Sequence, residues 1–327
     1  MIAFLGTCFG VAVLIGGGVL LVRGASEIAT RFGISPMIVG LTIVSFGTST
    51  PELVINVLGA LKGETALAFG NVVGSNISNL GLVLGMTTLI APISIQGGLV
   101  RRELPLLLLG TTVLTVMALD GVLEGYPPAI GRSDSIVLLL MFCIFMYITA
   151  MDFLRTKESD RLLYDIAESR IVNDASKLQF SVLFLLLGCT LLFVGGEITV
   201  RNASALASDF GISPTIVGLF VVAIGTSMPE LVTSIVAALR RESDLALGNV
   251  IGSNIFNSLF VLPVSGLVRR IAIPEGGLGD LLVSWALAAI LIPIFFFGKR
   301  RLGRPAGAFF LLAYITYAII RLNSPAG

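Results

Sequence analysis

Residues 33–79 read GISPMIVGLTIVSFGTSTPELVINVLGALKGETALAFGNVVGSNISN, and residues 211–257 read GISPTIVGLFVVAIGTSMPELVTSIVAALRRESDLALGNVIGSNIFN. The two stretches align at a constant offset of 178 without a gap and share 29 of 47 positions. Apolar segments alike only in composition would not keep Gly, Thr, Ser, Pro, Glu and Asn in one order. The match continues upstream more weakly, pairing Gly17 and Gly18 with Gly195 and Gly196, and Arg23 with Arg201. The chain is read as a duplication.

The rest of the sequence says what was duplicated. Of 327 residues, 55% are hydrophobic and only 13% charged, about half the charged fraction of a soluble globular protein. Roughly 20 apolar residues cross a bilayer as a helix. Ten such stretches are legible, near 2–22, 36–61, 66–91, 102–119, 134–153, 178–199, 214–239, 244–267, 279–298 and 306–321. Each half then has five spans, and an odd number makes the second half cross in the opposite direction. The expected fold is an all-α membrane protein of ten transmembrane helices in two inverted-topology five-helix repeats, 1–153 and 178–327, joined by a loop at 154–177. Secondary transporters use this architecture, with sites near the bilayer midplane. A duplicated scaffold without transport is the competing reading, and the polar residues shared inside apolar spans weigh against it.

Charge bounds the remainder. If the N-terminus faces outward, fifteen of the 21 basic residues fall on inner loops. This favours both termini outside and the 154–177 loop in the cytoplasm. The first stretch has no basic segment or small-residue cleavage site and reads as the first span, not a removed signal. A net charge of +1 gives nucleic acid no attraction. Cys8, Cys143 and Cys189 lie far apart in apolar spans and are expected to be buried free thiols. The chain has no histidine, so any cation must be held by oxygen ligands, which suit Ca²⁺, Mg²⁺ and Na⁺.

Each copy carries Gly-Thr-Ser-x-Pro-Glu, Gly47 to Glu52 and Gly225 to Glu230. Proline lacks an N–H and restricts the residue before it, and glycine loosens the backbone, so a broken or kinked helix is expected there. The break frees carbonyl oxygens that only a protein-lined or hydrated cavity tolerates. Thr48, Ser49, Thr226 and Ser227 add hydroxyls at the same level. Glu52 and Glu230 are carboxylates inside apolar spans and must be protonated, paired or matched by a cation. Together they match the charge of one Ca²⁺, whereas a protonated structural glutamate is the alternative. The following span carries Gly-Asn-Val-x-Gly-Ser-Asn-Ile-x-Asn, Gly70 to Asn79 and Gly248 to Asn257. Ser75 with Asn79, and Ser253 with Asn257, stand four apart on one helix face. Asn76 and Asn254 point elsewhere and read as interhelical glue, a role that also competes for Asn79 and Asn257. Gly70, Gly74, Gly248 and Gly252 form small-xxx-small pairs for close packing.

These paired blocks resemble the alpha repeats of the calcium/cation antiporter superfamily, and within it the compact prokaryotic form of the sodium/calcium exchanger branch. The resemblance implies Na⁺/Ca²⁺ antiport by alternating access in a prokaryotic inner or plasma membrane. It also implies no enzyme activity and no cofactor, with Ca²⁺ and Na⁺ as substrates and the lipid bilayer as surroundings. Carried over by position, Glu52 and Glu230 are the carboxylates shared by Ca²⁺ and Na⁺, and Thr48 and Thr226 offer oxygens to Ca²⁺. Ser49, Ser75, Ser227 and Ser253 line flanking Na⁺ sites, and Ser45 and Ala223 supply backbone carbonyls. Asn79 and Asn257 stand where some members have Asp, which argues against the potassium-dependent type. The proton-coupled branch usually has Gly-Asn-x-x-Glu where this chain has Gly-Thr-Ser-x-Pro-Glu. Sodium coupling is therefore favoured, and a Ca²⁺/H⁺ antiporter using the same glutamates is the alternative. An intramembrane hydrolase and a passive channel are the rivals from other classes. Oligomeric state is not legible.

Overall fold

The computed structural model describes residues 2–94, 97–159, 175–209, 223–297 and 301–323. They form helices joined by short connections, with two minimal two-stranded sheets. Helix α1 is Ile2–Phe32. A bent pair follows, α2 at Pro36–Thr48 and α3 at Thr50–Lys62, turned by 45° at the break. Next come α4 at Thr65–Ile90, α5 at Gly97–Glu124, α6 at Arg132–Ser159 and α7 at Ala175–Asp209. The chain continues with one turn, α8, at Ala223–Thr226, then α9 at Met228–Leu239 and α10 at Ser243–Val268. It ends with α11 at Gly277–Phe297 and α12 at Arg304–Asn323.

Among the described residues, eight helices are long and apolar enough to cross a membrane, and the bent pair makes a ninth. The expected span at 214–239 is represented by α8 and the short apolar helix α9; residues 210–222 lie outside the described residues. Most of the 154–177 loop also lies outside them, although α6 runs into it as far as Ser159. Several helices outrun the apolar stretches that announced them. α1 continues ten residues past the expected end at 22. Its extension is polar but internally paired, with Arg23 Nε donating to Glu27 Oε1 at 2.8 Å, four residues on.

Two compact units divide the chain. One comprises 1–48 with 144–252, the other 49–143 with 253–327. In the first unit α1 and α7 pack backbone to backbone. A Cβ at Gly17 would lie 2.8 Å from the Leu192 amide nitrogen, one at Gly24 would lie 2.7 Å from that of Leu185, and one at Gly195 would lie 2.7 Å from that of Leu14. As the contact moves up α1 it moves down α7, so the two helices are antiparallel. Lipid gives helices no hydrophobic reason to associate, and small residues that let backbones touch replace it. The same device holds α2 to the first half of α10. A Cβ at Gly40 would meet the Leu245 carbonyl at 2.6 Å, and one at Gly248 the Met37 carbonyl at 2.7 Å.

The second unit is built alike. Gly85 of α4 and Gly307 of α12 face each other's backbones, a Cβ on either meeting main-chain atoms within 3.0 Å. Trp285 of α11 donates to Thr112 of α5 at 2.8 Å. β1 (Ile93–Ser94) pairs antiparallel with β4 (Arg301–Leu302), and β2 (Ala129–Ile130) with β3 (Ile271–Ala272). Asp280 on α11 takes hydrogen bonds from Tyr317 at 2.9 Å and Arg321 at 3.0 Å on α12.

One expectation fails. Cys8 and Cys143 are exposed and Cys189 is half-buried, although all three are free as expected. In a bundle meant for lipid, apolar side chains also point outward, so an apolar neighbourhood in sequence does not bring burial. The α1–α7 contact yields a test. A Cβ at Gly188 would sit 2.5 Å from the Leu21 amide nitrogen. Gly188→Val is expected to cost about 3 kcal/mol, the upper end for overpacking, and to lower the thermal midpoint in detergent. An unchanged midpoint would show that the two backbones are not in contact.

Candidate functional site

The break expected at Gly-Thr-Ser-x-Pro-Glu is present in both copies. Ser49 has φ −88° and ψ 5°, and Ser227 has φ −88° and ψ 4°. Both serines cap a new helix with proline in its first turn, where the missing N–H costs nothing. The break falls on the serine, two residues before the proline. Glu52 and Glu230 therefore sit in the first turn of α3 and α9, where the helix dipole favours negative charge. Both are 0% exposed.

Among the described residues, three π-helical turns, at Gly40–Val44, Asn79–Val83 and Asn257–Val261, were not legible in the sequence. Two of them begin at the repeat-related Asn79 and Asn257. Such bulges widen one turn, loosen the i to i−4 ladder and cluster at functional sites. The signal was present only as an asparagine recurring at the same place in both copies, and periodicity alone does not separate a π turn from an α turn.

The first unit holds Ser45, Thr48, Ala223, Thr226, Ser227 and Glu230, and the second holds Ser49, Glu52, Ser75, Asn79, Ser253 and Asn257. In the first, the end of α2 packs on α9. Ser45 Oγ donates to the Leu41 carbonyl at 2.7 Å, and Thr48 Oγ1 reaches the Ser45 carbonyl at 3.3 Å. Ala223 stands in the single turn α8 before the second break. In the second unit, α3 and the first half of α4 both pack on the π turn at 257–261. Glu52, Ser75, Asn79, Ser253 and Asn257 are all at most 3% exposed. The side chains of Ser75, Asn79, Asn257 and Ser227 have buried polar atoms with no hydrogen-bond partner among the described residues. Buried polar groups left so are costly and call for an explanation.

No cluster of three His, Cys, Asp or Glu occurs among the described residues. What recurs at the two breaks is a carboxylate accompanied by hydroxyl, amide and carbonyl oxygens. That donor set suits a hard cation. Asn76 is glue, as expected, since its Nδ2 donates to Ser258 Oγ at 2.8 Å. The glycine pairs differ. Gly248 and Gly252 make close backbone contacts, whereas a Cβ at Gly70 or Gly74 would meet nothing within 4 Å among the described residues.

A second pair of polar contacts went unassigned. Asn71 Nδ2 donates to Asn56 Oδ1 at 3.0 Å, and its repeat mate Asn249 Nδ2 donates to Ser234 Oγ at 3.0 Å. Asn56 and Ser234 are themselves related by the offset of 178. Each copy thus ties its post-break helix to the next by the same bond. The clue was the recurring Gly-Asn at 70–71 and 248–249, with a polar residue at both partner positions.

Known proteins resemble this chain over most of its length. The family described as Sodium/calcium exchanger protein matches residues 2–151 and 180–323. The inner membrane protein YrbG of Escherichia coli is 38% identical over 76% of this chain and 74% of its own. The sodium/calcium exchanger MaX1 of Methanosarcina acetivorans is 28% identical over 97% of each. A solved structure of the sodium-calcium exchanger NCX_Mj superposes with a TM-score of 0.81 at 29% identity, covering 98% of this chain and 99% of that one. Further off, vacuolar cation/proton exchanger 3 of Arabidopsis thaliana is 26% identical over 88% of this chain and 67% of its own.

The Asn76 bond carries a prediction of its own. Asn76→Ala leaves the Ser258 hydroxyl buried without its donor and is expected to cost about 1–3 kcal/mol. Adding Ser258→Ala should cost little more, because the two share one interaction. Additive losses in thermal unfolding would remove the bond from the packing scheme.

Proposed function

The chain belongs to the sodium/calcium exchanger protein family, and from that premise we propose that it is a secondary antiporter exchanging Na⁺ for Ca²⁺ by alternating access. The observation that carries the reading is the complete burial of Glu52 and Glu230, each in the first turn after the same backbone break in the two copies. A carboxylate so placed must be protonated, paired or matched by a cation. In this reading Ca²⁺ and Na⁺ compete for it, so loading one ion displaces the other.

The remaining assignments follow the two copies. Thr48 and Thr226 give oxygens to Ca²⁺, as do the carbonyls of Ser45 and Ala223. Ser49, Ser75, Ser227 and Ser253 serve Na⁺. Asn79 and Asn257 add neutral amides, so the carboxylate count stays at two. The two copies are inverted five-helix repeats at 1–153 and 178–327. The antiparallel run of α1 against α7, helices related by the same offset of 178, supports that inversion. The basic residues orient the chain with both termini outside and the 154–177 loop in the cytoplasm of a prokaryotic cell.

A second reading, Ca²⁺/H⁺ exchange on the same glutamates, draws support from the likeness to a plant cation/proton exchanger. One experiment separates them. ⁴⁵Ca²⁺ uptake is measured in proteoliposomes loaded with Na⁺, K⁺ or acid and diluted into Na⁺-free buffer. Uptake driven by internal Na⁺ alone is expected, and uptake driven by acid alone would move the protein to proton coupling. Glu52→Gln and Glu230→Gln are each expected to abolish exchange in folded protein. Wild-type rates in both variants would overturn the site assignment.

A further inference from the structure

Asn249 makes three hydrogen bonds from a position that is 0% exposed. Its Nδ2 donates to Ser234 Oγ at 3.0 Å and reaches the Glu230 carbonyl at 3.4 Å, while its Oδ1 accepts from Thr48 Oγ1 at 3.1 Å. All four residues belong to the first unit. The Glu230 carbonyl can only accept, so the amide nitrogen must face it and the amide oxygen must face Thr48. The orientation of the side chain is thereby fixed by its partners.

A threonine hydroxyl has one hydrogen and two lone pairs. To ligate a cation it must offer a lone pair and send its hydrogen elsewhere. Asn249 Oδ1, at 3.1 Å, is the nearer acceptor for that hydrogen, the Ser45 carbonyl lying at 3.3 Å. The same amide holds the main chain of the turn that carries Glu230. One side chain therefore constrains a proposed ligand from each copy of the repeat. In the first copy the corresponding Asn71 bonds to Asn56, the match of Ser234. The bond between helices is thus common to both copies, and the second copy turns it toward Thr48 as well.

We propose that Asn249 is a positioning residue for cation binding: it orients the Thr48 hydroxyl and the Glu230 turn so that their oxygens meet Ca²⁺ already aligned. Ligand oxygens held by a surrounding hydrogen-bond shell bind metal more tightly than oxygens that must be ordered on binding. The inference rests on the exchange reading above, and it adds a residue that contacts ligands without being one.

The test is a double-mutant cycle in the Na⁺-loaded vesicles, following half-saturating Ca²⁺ and maximal rate, with thermal midpoints as the check on folding. Asn249→Ala is expected to raise half-saturating Ca²⁺ roughly tenfold, equivalent to about 1.4 kcal/mol, with a much smaller change in maximal rate. Thr48→Val should raise it by a similar factor, and the double variant should be no worse than the stronger single. Ser234→Ala, nearly isosteric, removes one anchor of the amide and should shift half-saturating Ca²⁺ about two- to threefold in the same direction. It carries the test alone if Asn249→Ala does not fold. Multiplicative effects in the cycle would overturn the proposal, as would unchanged half-saturation in Asn249→Ala, or in Ser234→Ala when it stands alone. Absence of uptake by the wild-type chain counts against the exchange reading, whereas wild-type uptake with an unaffected Asn249 variant counts against the positioning role alone.

Discussion

A carboxylate inside an apolar span is the constraint around which this chain is arranged. Moving an ionised carboxylate out of water costs many kcal/mol unless a proton, a partner or a cation compensates. The chain places such a group at full burial twice, in Glu52 and Glu230. The local backbone answers in kind. A helix is broken one turn earlier, and the carboxylate then sits at the positive end of the helix that follows. Each break also carries hydroxyl side chains, Thr48 and Ser49 in one copy and Thr226 and Ser227 in the other.

Such a break is tolerable only in a scaffold that stays together without hydrophobic help. The glycine contacts between α1 and α7, between α2 and α10, and between α4 and α12 supply it. They bring main chain against main chain, where dispersion attraction and weak Cα–H···O contacts add up. Polar bonds such as Asn76 to Ser258 and Trp285 to Thr112 then fix register. The energetic logic differs from that of a soluble core, since the side chains that would form one are turned outward in large number.

How far the sequence could be read follows from the kind of signal each feature leaves. The duplication, the break and the two glutamates were legible because one ordered set of Gly, Thr, Ser, Pro and Glu recurs at one offset, and Glu is rare inside apolar spans. The role of Asn76 was legible because its angle from Ser75 separates the two faces. The π turns at Asn79 and Asn257 were not, since a single widened turn changes no residue type. Nor were the bonds of Asn249, which depend on which side chain a neighbouring helix happens to present. The burial of the cysteines was misread because apolar sequence context means burial in water-soluble proteins but not in a span. Helix ends were read short because paired charges such as Arg23 and Glu27 prolong a helix beyond its apolar stretch.

The cysteines have a practical side. Cys8 lies in one compact unit and Cys143 in the other, both exposed and both free. In detergent these two native thiols are accessible points for a donor and an acceptor dye, one per unit. Replacing only the half-buried Cys189 leaves a chain that can be labelled without adding any new cysteine. Energy transfer between the dyes would then report on the separation of α1 from α6 when Ca²⁺ or Na⁺ is supplied.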